Sequence, residues 1–160
     1  MSSSNVTFPE DQAFRQLTYN WAKSFDTKEW DLLRSITRDR VELDYQGLNP
    51  KQVVQVMSRE DFVEGFAKKT PGDERLQTQH LIGGMVFSKT GTNTAKRDFQ
   101  VRARYLKHFE DGSVKEWTAG ILGTHFYERD GVEGDWGLAG LRPHTMTFEV
   151  GGWGDVFGEG

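Results

Sequence analysis

The sequence contains no cysteine, only four prolines among its 160 residues, and no long uninterrupted apolar stretch. Without cysteine the chain forms neither disulfides nor thiolate metal sites, and it has no cysteine nucleophile. A helix that crosses a bilayer needs roughly 20 consecutive apolar residues, so we expect no membrane partner. The first residues, Met1 to Asn5, lack the charged and then apolar pattern of a signal peptide, which favours a cytoplasmic protein.

An excess of positive charge is also missing. Lys and Arg number 20 against 24 Asp and Glu, which gives a net charge of −4. Proteins that bind nucleic acid mainly through phosphates normally carry a basic excess, so we expect no nucleic-acid partner. The length suits one domain over residues 1–160, and we expect its ends, 1–8 and 158–160, to be flexible.

Aromatic residues, in contrast, are abundant. The chain has 5 Trp, 4 Tyr and 11 Phe, although its mean hydropathy is only −0.66. The apolar character is therefore concentrated in a few large rings. Such rings either line a pocket or build the core.

The first third of the chain has the pattern of helices. Apolar residues recur at spacings of three and four, which predicts one amphipathic helix; they are Phe14, Leu17, Trp21 and Phe25. Asp26 with Glu29 fits the start of a second helix, with Asp26 as its N-cap. A third helix is predicted from Ser58 to about Pro71, with Phe62, Val63 and Phe66 as its buried face.

The remainder has the pattern of strands. Val41 to Tyr45 alternates with period two, and long strand patterns follow from Leu76 onward. Asp111-Gly112 and Asp130-Gly131 are typical of hairpin turns, and Gly83-Gly84 suggests a bulge or bend. Helices followed by an antiparallel meander predict an α+β fold in which a strongly curved sheet encloses an apolar pocket. We expect the glycine-rich segment after Gly151 to dock as an arm.

The motifs leave proton-transfer chemistry as the main candidate. There is no HExxH motif or other metal-ligand spacing, no Gly-rich phosphate loop and no nucleophile elbow, so we expect no metal or cofactor. His80 lies mid-strand among apolar residues and is either a catalytic base or a core histidine bonded to a backbone carbonyl. His108, His125 and His144 are expected to be exposed. Tyr45 is either functional or a buried core tyrosine.

Four segments, in order and spacing, resemble the scytalone dehydratase family of fungal melanin biosynthesis. They are Trp21-Ala-Lys-Ser-Phe-Asp-Thr-Lys-Glu-Trp-Asp31, Leu43-Asp-Tyr45, Thr78-Gln-His-Leu-Ile-Gly-Gly84 and Ala139-Gly-Leu-Arg-Pro143. The resemblance implies the cone-shaped α+β barrel shared with nuclear transport factor 2 and ketosteroid isomerase. It also implies a homotrimer, although a dimer is possible, and elimination of water from a cyclic β-hydroxyketone without metal or cofactor.

The same resemblance implies catalytic roles for four residues. His80 matches the family's first catalytic histidine, Asp26 the aspartate that orients it, and Tyr45 a tyrosine that polarises the substrate carbonyl through a water. Tyr105 stands where the family has its second histidine, and Phe25 replaces the other carbonyl-polarising tyrosine. The family's serine and asparagine correspond to Ile121 and Gly123. The expected substrate-binding residues are Phe25, Ala103, Leu141, Pro143, Trp153 and Phe157.

These departures leave three hypotheses open. The first is a dehydratase acting on a partly aromatic polyketide other than scytalone, with His80 as base and then acid. The second is a polyketide isomerase or cyclase, including one that forms a ring pericyclically, in which the pocket mainly folds the substrate. The third is a small-molecule binding protein on the same fold, without catalysis.

Overall fold

The computed structural model describes residues 5–158. Its elements, in chain order, are α1 (Phe8–Asp26), α2 (Trp30–Ile36), β1 (Thr37–Leu43), β2 (Gln55–Ser58), a π-helix (Asp61–Ala67), β3 (Leu76–Lys89), β4 (Thr94–His108), β5 (Val114–Glu128), β6 (Gly137–Gly151) and α3 (Trp153–Phe157). The flexible ends expected at 1–8 and 158–160 lie partly outside the described residues. No helix between residues 5 and 158 is long and apolar enough to cross a membrane.

Helix α1 begins with a complete capping box. The Thr7 side chain accepts a hydrogen bond from the backbone N–H of Glu10, and the Glu10 carboxylate accepts one from the N–H of Thr7 at 3.0 Å. These bonds satisfy donors that the first helical turn would otherwise leave unpaired. The predicted apolar stripe is confirmed, because Phe14, Leu17, Trp21 and Phe25 are all buried.

The prediction that Asp26 caps the second helix is wrong. Helix α1 continues through Asp26, and α2 begins only at Trp30 with Glu29 in the N-cap position. Between them Lys28 adopts a left-handed conformation with φ of 58°. The Asp26 carboxylate is instead bonded to β3, 54 residues later, so a tertiary contact overrides the local capping signal.

The predicted third helix forms as a short π-helix. It is preceded by Ser58, whose hydroxyl accepts a hydrogen bond from the Asp61 N–H at 3.0 Å. The Lys68 N–H donates to the Val63 carbonyl at 3.1 Å, five residues back, which is the π-helical pattern. Phe62 and Val63 are fully buried, as expected, whereas Phe66 is half-buried.

The strands form one six-stranded sheet in the order β2-β1-β6-β5-β4-β3. Pairing is antiparallel except between β1 and β6, which run parallel. The hairpin glycines Gly112 and Gly131 adopt φ of 82° and 70°, a region that favours glycine. The sequence pattern did not predict β2, which has only four residues.

Irregular pairing bends this sheet. The β3–β4 register shifts between Ile82 and Met85, so the bulge predicted at Gly83-Gly84 is confirmed, and β5–β6 shifts at three places. Bulges increase strand bending and twist. Helix α1 packs on the inner face of the sheet, where it shares one core with residues of β4, β5 and β6. The α+β architecture with a curved sheet is therefore confirmed.

The expected C-terminal arm is helix α3, which docks beside β4 and β5. Val156 is buried there, and the Phe157 ring lies 5.0 Å from the Tyr105 ring, centroid to centroid. Gly151 precedes the arm with φ of 74°, and a Cβ at this position would lie 1.9 Å from the Glu116 carbonyl oxygen. Only glycine fits this turn, which directs the arm back to the sheet.

Replacing Phe14 with alanine should destabilise the protein by about 3–5 kcal/mol, because the change leaves a cavity where a fully buried ring was. The Phe14 ring packs against the rings of Phe87, Tyr127 and Trp136 at 5.0 to 5.5 Å. Urea unfolding measures the effect. The control Phe8→Ala removes a ring from the same helix that is 73 % exposed, and should change stability by less than about 0.5 kcal/mol. Equal losses for the two variants would contradict this assignment of the core.

Candidate active site

The Asp26 carboxylate and the His80 imidazole form the centre of the site. Asp26 Oδ1 lies 2.7 Å from His80 Nδ1, and Asp26 Oδ2 accepts the His80 backbone N–H at 2.8 Å. The Thr78 hydroxyl adds a longer bond to Oδ1 at 3.3 Å. The His80 side chain is only 6 % exposed. The carboxylate thus fixes both the backbone and the ring of His80.

This pairing sets the tautomer of His80. A carboxylate only accepts hydrogen bonds, so the proton of a neutral His80 ring is on Nδ1 and the Nε2 lone pair is free to accept. The Tyr105 hydroxyl lies 3.1 Å from Nε2 and is therefore the donor to it. Asp26, His80 and Tyr105 form one hydrogen-bonded chain that ends in a phenol, a geometry suited to proton transfer.

Aromatic rings surround this chain. The Trp21 and Phe25 rings lie 5.0 and 5.9 Å from the His80 ring, and Phe157 packs against Tyr105 from the C-terminal arm. Ala103 is the β4 residue directly opposite His80 in the sheet. The structure therefore brings three of the expected substrate-binding residues to the catalytic candidates: Phe25, Ala103 and Phe157.

Tyr45 lies two residues beyond the end of β1, not within the strand as the sequence pattern suggested. Its ring packs 6.0 Å from Phe66. Burial raises the pKa of Tyr45 to about 12. The pKa of Tyr105 is also raised, first by burial and then by the fields of Tyr45 and Asp26. Both stay protonated near neutral pH and serve as donors.

The other expected site residues lie on β6 and α3. Leu141 and Pro143 on β6 are opposite His125 and Gly123 on β5. Trp153 packs on Trp117 and Phe157, and its side chain is half exposed at 48 %. Ile121 and Gly123 occupy the inner face of β5 opposite Val101 and Phe99. They offer no side-chain polar group there.

The expectation that His125 is exposed is wrong. It is almost fully buried, and its Nδ1 lies 2.6 Å from Nη2 of Arg97, which is also fully buried. The reason is strand parity: Arg97 shares the inward-facing side of β4 with Ala103 and Tyr105. His125 on β5 is opposite Arg97, so both side chains face inward. The alternating pattern of β4 puts Arg97 on this face, although arginine is rarely fully buried in proteins. The other two predictions are confirmed, since His108 and His144 are exposed.

The sequence matches a family model and is similar to known proteins. Residues 5–160 match the family model described as scytalone dehydratase. The chain is 32% identical over 146 residues to the scytalone dehydratase of Pyricularia oryzae, which covers 88% of this chain and 83% of that protein. It is 32% identical over 145 residues to a dehydratase of Pestalotiopsis microspora, with 88% and 89% covered.

The chain belongs to the scytalone dehydratase family. Family membership makes it an enzyme of the dehydratase, or hydro-lyase, class. Among solved structures, the Kfla4162 protein from Kribbella flavida superposes with a TM-score of 0.73 at 18% identity, covering 89% of this chain and 93% of that one. That similarity concerns the fold alone, and the cone-shaped fold related to nuclear transport factor 2 is confirmed.

Possible metal ligands do not cluster in the described part of the chain. Across residues 5–158, no group of three or more His, Asp or Glu side chains is arranged to hold a metal ion. Asp26 and His80 are bonded to each other, and Arg97, not a carboxylate, faces His125. Asp26, His80 and His125 are thus each bonded to another side chain.

Three of the four tyrosines should resist ionisation in the folded protein. Burial raises the pKa of Tyr45, Tyr105 and Tyr127, whereas unfolded tyrosine ionises near pH 10. As pH rises above about 10, the unfolded chain loses protons that the folded chain keeps, so stability should fall. Absorbance of tyrosinate near 295 nm during a base titration, and urea unfolding at two pH values, measure both effects.

The variant Tyr105→Phe serves as the control for this titration. It should lower the late, high-pH absorbance change by one phenol and leave the early change intact. Ionisation of all four phenols near pH 10 in a protein that is still folded would contradict the burial of the site.

Proposed function

We propose that this protein is a cofactor-independent dehydratase that acts on a partly aromatic polyketide by proton abstraction beside a carbonyl. The observation that carries the proposal is the hydrogen-bonded chain from Asp26 through His80 to Tyr105. Relatives named scytalone dehydratase support the reaction class. The aromatic rings around His80 suit a flat substrate.

The first step is removal of a proton by His80. Its Nε2 lone pair takes the proton on the carbon next to the substrate carbonyl, and the C–H electron pair moves to the carbonyl oxygen to give an enolate. Asp26 is the positioning residue, because it holds Nδ1–H and stabilises the imidazolium that forms. The Tyr105 hydroxyl leaves Nε2 before this transfer, because the nitrogen has a single lone pair, and it donates instead to the carbonyl oxygen that becomes the enolate.

The second step returns the proton. The enolate electrons re-form the carbonyl and expel the hydroxyl on the β carbon, while Nε2–H protonates that hydroxyl so that water leaves. His80 thus acts first as base and then as acid. This double use follows from Tyr105, because a buried phenol with a raised pKa donates a hydrogen bond but is a poor proton carrier near neutral pH.

The polarity of the site supports a substrate other than scytalone. Phe25 offers no hydroxyl where the family has a carbonyl-polarising tyrosine, and Ile121 and Gly123 offer none on β5. The substrate carbonyl therefore relies on Tyr105, aided by Tyr45. An isomerase or cyclase is the second candidate, favoured by the same observation, because a reaction that stops after proton transfer needs no additional acid for a leaving group.

The variant His80→Ala should lower kcat by about 10²- to 10⁴-fold, the usual contribution of a general base. The assay supplies cyclic β-hydroxyketone polyketides, scytalone included, and follows loss of water by mass spectrometry. The control His108→Ala removes an exposed histidine ring of the same sheet, which is bonded to the Gln77 side chain at 3.0 Å, and should keep full activity.

The same assay separates the alternatives. A product of unchanged mass would indicate an isomerase or cyclase. Full activity of His80→Ala would refute proton abstraction by His80, and recovery of every compound bound but unchanged would favour a binding protein.

We also propose that the chain forms a homotrimer through the outer face of its sheet, as the family resemblance implies. This face is opposite α1 and exposes four apolar side chains: Leu81, Val86, Phe148 and Val150. A shallow groove crosses it between Leu81, Arg102 and Phe148. Exposed apolar patches on a sheet face are typical of interfaces between copies.

Light scattering should therefore report about three times the 18.3 kDa mass of one chain. Val150→Glu places a charge on the outer face and should shift the mass toward the monomer, because a buried unpaired charge is costly. The matched control Val132→Glu alters an equally exposed valine in the β5–β6 turn and should leave the mass unchanged. A monomeric wild-type chain, or equal effects of both variants, would refute the interface; a dimer would refute the trimer.

A further inference from the structure

Arg97 is a buried arginine that the proposed reaction does not use. Its side chain is fully buried on the inner face of β4, with the guanidinium carbon 3.9 Å from the centre of the Phe99 ring. One nitrogen, Nη2, donates to His125 Nδ1 at 2.6 Å. Nε and Nη1 have no hydrogen-bond acceptor among residues 5–158. Buried polar groups of this kind normally have a partner.

The charge of Arg97 is also not paired with any carboxylate of residues 5–158. Burial lowers its pKa to about 10, and the field of Tyr127 acts in the opposite direction, so it remains cationic at neutral pH. Glu10, an inward carboxylate, is already paired with Lys89 at 2.9 Å and lies 3.7 Å from Arg129. An isolated buried charge is strongly unfavourable unless a counter-charge arrives.

His125 offers a hydrogen-bond donor and no negative charge. Burial, followed by the positive charge of Arg97 and by His80, lowers the pKa of His125 well below its usual value, so the ring is neutral. Since Nδ1 accepts from Arg97, the ring proton is on Nε2. The Trp21 Nε1–H, which also has no acceptor in the described chain, belongs to the same group. We call Trp21, Arg97 and His125 the donor cluster.

Trp21 links the donor cluster to the proposed catalytic chain. Its ring centroid lies 4.6 Å from the His125 ring and 5.0 Å from the His80 ring. The guanidinium carbon of Arg97 is 5.9 Å from the Trp21 ring. The same indole therefore lies beside both a proton-transfer centre and a cationic group with spare donors.

We propose that the donor cluster is a binding subsite for a carboxylate group of the substrate, with Arg97 as its counter-charge. The substrate class is then an aromatic or partly aromatic polyketide acid, whose carboxylate is held at Arg97 while its ketone lies at His80. Placing the ketone rests on the proposed function; binding of the carboxylate does not. A carboxylate supplies both the acceptors and the negative charge that the donor cluster lacks.

The rings of Trp21 and Phe99 cover the guanidinium, so the carboxylate reaches it when these rings turn aside. A neutral carbonyl or hydroxyl oxygen would satisfy a donor but leave the charge uncompensated. The competing explanation is that stacking on Phe99 and the bond to His125 suffice to keep Arg97 in place. In that case the protein has no preference for an acidic ligand.

Calorimetry with a pair of matched probes tests the proposal on the wild-type protein. The probes are 2-naphthoate and 2-naphthamide, which share a ring system and differ in charge, and neither can be dehydrated. We expect 2-naphthoate to bind about ten- to a hundredfold more tightly, the range for a charged hydrogen bond in a buried site. Equal affinities, or tighter binding of the amide, would overturn the proposal.

Two variants locate the preference. Arg97→Met removes the charge at similar volume and should abolish the preference for 2-naphthoate, whereas Arg97→Lys should keep part of it. The control Arg104→Met removes an exposed arginine of the same strand, paired with Glu116 on the opposite face, and should keep it all. A preference that survives in folded Arg97→Met would overturn the proposal.

If Arg97→Met does not fold, a crystal structure of the wild type with 2-naphthoate decides. The carboxylate within hydrogen-bond distance of Arg97 supports the proposal, and a carboxylate bound elsewhere overturns it. These readouts need no turnover. If His80 proves not to be the base, the charge preference is still expected. If the wild-type protein shows no charge preference, the proposal of dehydration at His80 still stands.

Discussion

The rest of the structure depends on the hydrogen bonds by which the Asp26 carboxylate connects helix α1 to strand β3. Asp26 is the last residue of α1, and its two oxygens accept the backbone N–H and the ring N–H of His80 on β3. The bond joins the end of the helix to the inner face of the sheet. It also orients the imidazole with its basic nitrogen toward Tyr105. This one contact therefore joins α1 to β3 and orients the proposed base.

Burial in an aromatic environment then determines what the neighbouring groups do. The rings of Trp21, Phe25 and Phe157 exclude water from the His80–Tyr105 pair. Because burial disfavours the phenolate, Tyr105 remains a donor. The many aromatic residues therefore serve two purposes. They form the core against α1, and they set the polarity of the site.

The inner face of the sheet holds two polar groups, Asp26 with His80 and Arg97 with His125. They differ in how many of their hydrogen-bond donors have an acceptor. At Asp26 and His80, both ring nitrogens and both carboxylate oxygens have hydrogen-bond partners. At Arg97, two donors and a positive charge lack protein partners in the described chain, although the rings of Trp21 and Phe99 pack against it. A fully satisfied group stabilises the fold, whereas an unsatisfied one favours a ligand that completes it. The two groups therefore divide the proposed roles of catalysis and recognition.

Local patterns in the sequence determined most of the fold, because the apolar stripe of α1, the long strands and the glycine turns depend on nearby residues. The resemblance to the scytalone dehydratase family also predicted Asp26, His80 and Tyr105 as site residues. Other features required the tertiary structure. The Asp26 carboxylate is bonded to β3 and does not cap a helix. Strand β2 and the parallel β1–β6 pair arise from pairing between residues that are distant in the sequence. Only the tertiary structure places Arg97 and His125 together. Burial and charge compensation depend on which strands become neighbours, and a local sequence pattern does not determine which strands pair.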